Sequence, residues 1–361
     1  MGNTGPPRMT SWCRHCGAGI VAPPAGSSSG VRCALCRRVT RVERHRSVGA
    51  PPSPPRTVRS ASRELPAGYP ATRGKKRAVL VGVSYTGTDH ELRGTVKDVE
   101  CMRTLLRDKF GFPGDSILVL TEERSDEPYR VPTRENLLLA MRWLVEGCGA
   151  GDSLVFHFSG HGVQKLDMNG DEVDGYNEAL CPLDFEDKGK ILDDEINETI
   201  VRPLGPGVKL HAIIDTCHSG TILDLSYLCR LSRTGYWQWE NHVRQPAKPK
   251  CTSGGLAVSI SGCNDDQKSA ESSTQGFPDS SAIGAMTDSF IKAMESEPGT
   301  TYGRLLGAMR ATIRDGQGAG RRLLPGRIGS FVRKMITSGG VQEPQLCSSE
   351  MFDIYRKPFL L

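Results

Sequence analysis

Short apolar runs rich in β-branched residues alternate along this chain with amphipathic segments. Six of the runs are predicted as buried strands: Arg77–Ser84, Ser116–Thr121, Ser153–Phe158, Lys209–Asp215, Leu256–Gly262 and the less regular Met351–Tyr355. Four segments with apolar residues three and four positions apart are predicted as helices: Val96–Lys109, Arg134–Gly147, Asp193–Val201 and Thr287–Ser296. The alternation favours an α/β fold, with a mostly parallel six-stranded sheet flanked by helices and ligands bound at the carboxyl ends of the strands.

The residues before Lys75 differ in composition from those that follow. Residues 13–45 form a compact cysteine-rich segment, and residues 49–74 are rich in proline, serine and glycine with almost no aliphatic side chains. The second stretch is typical of a linker. We therefore predict a small domain over residues 1–48, a linker over 49–74 and a large folded domain over 75–361.

Composition narrows the class of protein. Of the 361 residues, 37% are hydrophobic, which suffices for a core, yet no apolar run approaches the roughly 18 residues that cross a bilayer. The amino terminus has no apolar stretch that could act as a secretory signal, so the expected location is the cytoplasm, with the nucleus as a second site. In a reducing compartment, twelve cysteines favour metal binding or catalysis over disulfides.

Charge is distributed unevenly along the chain. Residues 1–74 carry 12 Lys and Arg against 2 Asp and Glu, a net charge of +10, whereas residues 75–361 carry 34 against 39, a net charge of −5. A basic leader suits nucleic acid, an anionic lipid surface or an acidic protein, and a solvated arm is the alternative. An acidic body suits cationic ligands.

Two Cys-x2-Cys pairs lie in the basic leader, sixteen residues apart: Cys13 with Cys16, and Cys33 with Cys36. This spacing is typical of two knuckles that place four thiolates on one tetrahedral zinc ion. Zinc would supply the folding free energy that a segment without a core lacks, while four unrelated free thiols are the alternative. Because no base-contacting helix follows, we expect a protein partner or an autoinhibitory role for this zinc ribbon rather than nucleic-acid binding.

Two predicted strands end in residues that could form a nucleophilic site. His161 follows the first strand in LVFHFSGHG, and Cys217 follows the second in HAIIDTCHSG. A histidine and a cysteine from neighbouring strand ends can pair, so that the imidazole takes the thiol proton and the thiolate attacks an acyl carbon. Backbone N–H groups of Gly162 and Cys217 are candidates for the oxyanion hole. A buried cysteine and a capping histidine are the alternatives for each motif alone.

Further motifs surround these strand ends, among them GKKRAVLVGVSY, DGYNEALCPLDF, ILDDEIN and TSGGLAVSISGCNDDQ. Together with SGHG and DTCHSG, they resemble the catalytic domain of the plant type I metacaspases from Lys75 to Leu361, and the cysteine-rich segment resembles the zinc-finger prodomain of some plant proteases. The resemblance implies a caspase-like cysteine endopeptidase and zymogen, linked to programmed cell death or proteostasis. It also implies a larger subunit region over about 75–225, an intersubunit loop over about 226–251 and a smaller subunit region over about 252–361.

Acidic residues near the two strand ends indicate a basic substrate. Asp215 precedes Cys217 by two residues, so strand alternation directs both side chains to one side of the sheet. The resemblance adds Asp98 and Ser159 as walls of the same pocket. Asp215 bonded to backbone amides, and Asp98 complementing a helix dipole, are the alternatives. We predict cleavage after Arg or Lys and none after Asp.

The resemblance alone implies calcium binding, and the ligands it implies are Asp193, Asp194, Asp224 and Asn177. Hard oxygen ligands suit calcium, but Asn177 stands where the family has an aspartate, so one negative charge is lost. We therefore expect activation at roughly high micromolar to millimolar calcium. A helix-capping Asp193 among solvated acids is the alternative.

The segment Ser232–Lys250 mixes aromatic and basic residues and is predicted as an exposed loop. In an enzyme that cuts after basic residues, this loop is a candidate for self-processing. A non-proteolytic zinc-finger scaffold that regulates cell death is the main alternative function, and an asparaginyl or gingipain-like endopeptidase is a second. The expected partners are protein substrates with basic cleavage sites, and a monomer is the expected state.

Overall fold

The computed structural model describes residues 10–12, 19–21, 30–32, 39–41, 65, 69–72, 74–124, 126–166, 176–216, 220–232, 235–242, 250–264, 284–296, 299–322 and 342–361. Internal contacts divide the chain into two units, Met1–Arg63 and Glu64–Leu361.

The first unit contains two short antiparallel hairpins. Strand β1 (Thr10–Trp12) pairs with β2 (Gly19–Val21), and β3 (Gly30–Arg32) pairs with β4 (Val39–Arg41). Each Cys-x2-Cys pair falls in the connection between the two strands of one hairpin. The four cysteines themselves lie outside the described residues.

The second unit contains a large and a small sheet. Its strands are β5 (Lys76–Gly82), β6 (Ile117–Thr121), β7 (Ser153–Ser159), β8 (Gly162–Leu166), β9 (Tyr176–Leu180), β10 (Ile191–Leu192), β11 (Lys209–Asp215), β12 (Tyr227–Leu231), β13 (Trp237–Asn241), β14 (Leu256–Asn264) and β15 (Gln342–Ser348). Its helices are α1 (Thr95–Asp108), α2 (Arg134–Val145), α3 (Phe185–Lys188), α4 (Asp193–Ile196), which a π-helical turn over Asn197–Val201 continues, α5 (Ala285–Ser296) and α6 (Tyr302–Arg322).

Within the described parts of the chain, eight strands form the large sheet in the order β13-β12-β15-β14-β11-β7-β5-β6. The five strands from β14 to β6 run parallel, and β15, β12 and β13 extend the sheet in antiparallel fashion. Strands β8, β9 and β10 form the small antiparallel sheet. The parallel strands are continuous apolar runs because helices cover both of their faces.

Helices on the two faces of the sheet enclose two apolar cores. Val79 and Val81 of β5 face α2 and the π-helical turn, while the alternate residues Ala78 and Leu80 face α1, α5 and α6. No helix among the described residues combines the length and the apolar character that a bilayer crossing requires. The predicted α/β class, with a mostly parallel sheet between helical layers, is confirmed.

The predicted number of six strands in the large sheet is wrong, because the described residues alone contribute eight. The predicted strand Met351–Tyr355 has no strand structure, and the sheet instead gains β15. Part of the predicted loop Ser232–Lys250 forms β13, the edge strand paired with β12. The alternate residues Trp237 and Trp239 explain this pairing, since both pack on one face of the sheet, and Trp239 Nε1 donates to the Phe352 carbonyl at 2.9 Å.

The second unit starts earlier than the predicted domain boundary at Lys75. It begins at Glu64, because residues assigned to the linker pack onto helix α2 and the turn before it. Trp143 Nε1 donates to the Pro70 carbonyl at 2.7 Å, and the Tyr69 and Tyr129 rings lie 5.3 Å apart. These contacts attach the stretch around Tyr69 to the body of the unit.

The register of the central strands positions the site. Gly82 of β5 and Asp215 of β11 both pair with Ser159 of β7, so three parallel strands end at one level. The segments that leave these ends carry Tyr85, His161 and Cys217. The two residues predicted to carry the chemistry, His161 and Cys217, therefore follow strands that end at the same edge of the sheet.

Candidate active site

His161 lies just beyond strand β7 and is 1% exposed. Its Nε2 lies 2.9 Å from the backbone carbonyl of His90. A carbonyl oxygen can only accept a hydrogen bond, so Nε2 carries the proton and the lone pair of the neutral ring is on Nδ1. Burial lowers the pKa of His161, and the bond to the His90 carbonyl opposes that effect. The neutral imidazole is therefore the prevailing form near neutral pH.

The loop that leaves strand β5 surrounds His161. At its start, the Tyr85 hydroxyl accepts a hydrogen bond from the His161 backbone N–H at 3.0 Å, and the two rings lie 4.8 Å apart. At the far end of the loop, the His90 carbonyl accepts the hydrogen bond from His161 Nε2. His90 Nε2 lies 3.1 Å from a carboxylate oxygen of Glu186. Both the backbone and the ring of His161 thus take their positions from this loop.

Gly160 allows the tyrosine to approach so closely. A Cβ atom at this position would lie 2.9 Å from the Phe158 ring and 3.3 Å from the Tyr85 hydroxyl. A larger residue would therefore displace these neighbours of His161.

Cys217 lies outside the described residues, as do His218 and Ser219, while the flanking Thr216 and Gly220 are described. The pairing of Asp215 with Ser159 places the start of this segment beside the start of the His161 segment, because adjacent strands lie about 4.8 Å apart. In addition, the Gly160 N–H donates to the Asp215 carbonyl at 3.3 Å.

The three predicted pocket residues lie close together on the face of the sheet that α1 and α5 cover. Ser159 Oγ donates to Asp98 Oδ2 at 2.8 Å, and Asp98 is partly exposed whereas Ser159 and Asp215 are buried. Burial and the nearby charge of Asp215 raise the pKa of Asp98 to about 7. Of the two carboxylates, Asp98 is the one that solvent reaches.

Helix α1 brings Asp98 to this position because it packs tightly on strand β5. A Cβ atom at Gly82 would lie 2.8 Å from the Thr95 carbonyl, so the strand needs glycine where the helix crosses it. Ser84 Oγ and Thr95 Oγ1 lie 2.7 Å apart and join the loop to the first turn of the helix.

Asp215 caps helix α5. One of its carboxylate oxygens accepts a hydrogen bond from the Thr287 N–H at 2.7 Å, and the Thr287 hydroxyl also bonds to it. Burial is the largest influence on Asp215 and raises its pKa, which the bonds from Thr287 oppose. Asp215 therefore bonds to a backbone amide, as the alternative interpretation of this residue expected. Thr287 also contacts the buried His157, whose Nε2 lies 3.0 Å from the Thr287 hydroxyl.

Comparison with known proteins identifies the family. Residues 76–226 match the family described as "Metacaspase, peptidase C14 domain". The chain is 50% identical to Metacaspase-1 of Arabidopsis thaliana over 99% of this chain and 97% of that protein. It is 51% identical to Metacaspase-3 of the same plant over 81% of this chain and 77% of that protein, and 36% identical to Metacaspase-1B of Aspergillus clavatus over 73% of each.

The chain belongs to the metacaspase family. It is a cysteine-type peptidase of the plant type I group, which confirms the resemblance found in its motifs. Its substrates are accordingly proteins.

A second acidic cluster in the metacaspase gathers three of the four predicted calcium ligands. Lys250 Nζ lies 2.6 Å from Asp224 Oδ2 and 3.9 Å from Asp194 Oδ1, so these two carboxylates converge on one ammonium group. Asp193 is fully buried and accepts hydrogen bonds from the backbone N–H groups of Glu178 at 2.7 Å and Asp194 at 2.9 Å. Helix α4 begins at Asp193 itself and has no side-chain cap, so the alternative of a helix-capping Asp193 is not seen.

Asn177, the fourth predicted ligand, precedes Glu178 in strand β9. Its side-chain oxygen is buried and has no hydrogen-bond partner among the described residues. Such an orphan oxygen fits a cation ligand. No group of three or more His, Cys, Asp and Glu side chains in the described ranges is arranged to hold a metal ion as it stands. Calcium binding would therefore require Lys250 to move.

Sequence reasoning missed four residues that build these sites: Tyr85, Thr287, Lys250 and Glu122, whose carboxylate accepts hydrogen bonds from the backbone N–H groups of Ser84 and Tyr85. The first has a signal that could have been used, because it follows a buried strand at the active edge of a parallel sheet. The other three lie far in sequence from the groups they contact, and only the fold brings them together.

Proposed function

We propose that this metacaspase is an endopeptidase that cleaves proteins after Arg or Lys, with Cys217 as nucleophile and His161 as general base. The register of β7 and β11 carries the proposal, because it starts the Cys217 and His161 segments side by side. His161 Nδ1, the nitrogen with the lone pair, takes the thiol proton, and the thiolate attacks the carbonyl carbon of the scissile bond.

The remaining steps follow from the same two groups. Backbone N–H groups of Gly162 and Cys217 are proposed to donate to the oxyanion of the tetrahedral intermediate. Collapse of that intermediate breaks the C–N bond, and the imidazolium gives its proton to the leaving amine. A water molecule, deprotonated by His161, then hydrolyses the thioester, which releases the new carboxyl terminus and restores the thiol.

The proposed specificity is supported by the cluster of Asp98, Ser159 and Asp215. A guanidinium or ammonium group of the substrate would pair with Asp98 and lower its pKa, which favours the ionised carboxylate. Asp215 keeps its bonds to the start of helix α5 and acts through its negative charge. A substrate aspartate would meet two carboxylates and be repelled.

Peptides that differ only in the residue before the scissile bond test this function. We expect kcat/KM for Arg or Lys to exceed that for Asp by at least about 100-fold, and Cys217→Ala and His161→Ala to abolish turnover. Preference for Asp, or full activity in Cys217→Ala, would refute the proposal. Activity of the chain in a cell-death assay with Cys217→Ala would favour the non-proteolytic scaffold.

We further propose that calcium activates the enzyme by binding Asp193, Asp194, Asp224 and Asn177. The convergence of Asp194 and Asp224 and the orphan oxygen of Asn177 support this site. Calcium, when bound, would replace the ammonium of Lys250 as the counter-charge of the cluster. Because Lys250 ends the basic segment 243–250, its release would free the end of the segment proposed for self-processing.

A further inference from the structure

Tyr85 stands out among the buried groups that the mechanism above does not use. It is 1% exposed and has a backbone φ of 50°, in the left-handed region that non-glycine residues rarely adopt. The described residues include one other such non-glycine residue, Asp224. Strained backbone of this kind persists where surrounding contacts enforce it, and it clusters at functional sites.

The Tyr85 hydroxyl closes a ring of three hydrogen bonds around His161. It accepts from the His161 backbone N–H at 3.0 Å and donates to the Cys181 carbonyl at 2.5 Å. The Cys181 N–H in turn donates to the His161 carbonyl at 3.0 Å. Burial raises the pKa of Tyr85 well above its usual value, so the hydroxyl keeps the proton that it donates. Both backbone groups of His161 are thereby fixed.

The Tyr85 ring also orients the side chain of His161. Its centroid lies 4.8 Å from that of the imidazole, and Phe185 packs edge-on against Tyr85 from another side at 6.0 Å. With the imidazole against this ring, Nε2 points to the His90 carbonyl. That contact selects the tautomer in which Nδ1 can accept a proton.

Glu122 holds Tyr85 in its strained conformation. Its Oε1 accepts hydrogen bonds from the backbone N–H groups of Ser84 and Tyr85, both at 2.6 Å, and its Oε2 accepts one from Thr86 at 3.0 Å. Bonds to a carboxylate are stronger than neutral ones, and three of them act on consecutive residues. The carboxylate thereby offsets the cost of the left-handed backbone.

We propose that Tyr85 is a positioning residue for the general base, held in place by Glu122. This inference rests on the proposed role of His161. Tyr85 fixes the backbone of His161 through its hydroxyl and the plane of the imidazole through its ring, so that Nδ1 faces the approaching thiol with the correct protonation. Neither Tyr85 nor Glu122 contacts the reacting atoms in this scheme.

Tyr85→Phe tests the inference because it keeps the ring and removes the hydroxyl. We expect kcat for an arginyl peptide to fall about 10- to 100-fold with KM changed less than about twofold, since a misplaced base slows chemistry without weakening binding. The acidic limb of the pH profile of kcat should move to higher pH, because a loosened imidazole gains water and the pKa of His161 returns to its usual value. The rate at which iodoacetamide alkylates Cys217, followed by peptide mass spectrometry, should fall at neutral pH.

Tyr302→Phe provides a matched control. Tyr302 is also buried, and its hydroxyl lies 2.7 Å from Nε2 of the buried His211, remote from the strand ends. This variant should lose thermal stability as Tyr85→Phe does, yet keep its kcat and its pH profile. Glu122→Gln weakens the hydrogen bonds that the carboxylate accepts from the loop, so it should share the kinetic defect of Tyr85→Phe. It replaces Tyr85→Phe as the test if that variant does not fold.

The outcomes separate the inference from the function it rests on. If His161→Ala is inactive while Tyr85→Phe and Glu122→Gln keep kcat, pH profile and alkylation rate, the positioning role is wrong and the dyad stands. If His161→Ala retains full activity, the proposed function itself fails. Equal kinetic loss in Tyr302→Phe would show that Tyr85→Phe acts only through stability, which also overturns the inference.

Discussion

Asp98 carries a charge that changes near neutral pH, because burial and Asp215 raise its pKa to about 7. A carboxyl group in an unfolded chain has a pKa near 3.9. The folded protein therefore holds this proton more tightly than the unfolded chain does, and folding stability falls as the pH rises from about 4 to about 7. Ionisation costs stability at the same residue that, as an anion, would bind a basic side chain.

Asp98→Asn should separate these two effects. At pH 8 we expect kcat/KM for an arginyl peptide to fall at least about tenfold, since a bond to a charged group contributes roughly 1.5–3 kcal/mol. The rise of wild-type kcat/KM between about pH 6 and pH 8 should flatten in the variant. Its Tm should exceed that of the wild type by more at pH 8 than at pH 5.

Asp115→Asn, at an exposed site just before the amino end of β6, is the control and should change neither quantity. Were Asp98→Asn to keep its full rate on arginyl peptides at pH 8, the carboxylate would not belong to the substrate pocket.

Lys250 is the second residue whose charge is expected to matter, in this case for calcium affinity. Its ammonium lies 2.6 Å from Asp224 and competes with any cation for that cluster. In a Cys217→Ala background, which prevents self-cleavage, we expect Lys250→Ala to bind calcium at least about tenfold more tightly by titration calorimetry. The rise in Tm with added calcium should also be larger.

Lys357→Ala, which breaks a surface ion pair with Glu350 of 3.0 Å, should leave calcium affinity unchanged. Asp224→Asn should weaken the binding. Calcium affinity that responds to neither Lys250→Ala nor Asp224→Asn would place the ion elsewhere or exclude it.

At the scale of elements, the strands with the strongest apolar character could be read from the sequence. The five parallel strands and α1, α2 and α5 appear within a few residues of their predicted bounds, because buried β-branched runs and three- and four-residue spacing leave little ambiguity. Their order along the chain also predicted that His161 and Cys217 follow strand ends. Register, which sets these ends at one level, could not be read.

Other elements were hidden by their composition. Strand β15 reads QEPQLCS, with a proline and no β-branched residue, and it forms because β14 and β12 pair with it on both sides. Helix α6 contains five glycines, each unfavourable in a helix, and packing of Tyr302, Leu306 and Met309 against the core stabilises it. In both cases tertiary contacts outweigh local preference.

The two hairpins of the first unit suggest a test of zinc binding. We propose that the cysteine pairs in their connections, Cys13 with Cys16 and Cys33 with Cys36, bind one zinc ion. Elemental analysis should then find about one zinc per chain, and Cys13→Ser with Cys33→Ser should remove it. The control Cys101→Ser changes an exposed cysteine of helix α1 and should keep the metal. Zinc that persists in the double variant would contradict a four-cysteine site.

For the molecule as a whole, one sheet edge combines the features on which the proposed cleavage after Arg or Lys rests. The central strands end in register, His161 is oriented through Nε2, and the cluster of Asp98, Ser159 and Asp215 lies on the face that α1 and α5 cover. The separate acidic cluster near Lys250 is the proposed site of calcium activation in the same unit. Cys217 is the proposed nucleophile that these features would serve.

Covalent labelling of Cys217 tests this claim most directly. The protein, in millimolar calcium, is treated with a peptidyl fluoromethyl ketone that ends in arginine or in aspartate, and the adduct is located by tandem mass spectrometry. We expect the arginyl reagent to form a single thioether at Cys217, which His161→Ala prevents, and the aspartyl reagent to form none. An adduct on another cysteine, or equally fast labelling of Cys217 by the aspartyl reagent, would contradict the proposed nucleophile or its acidic pocket.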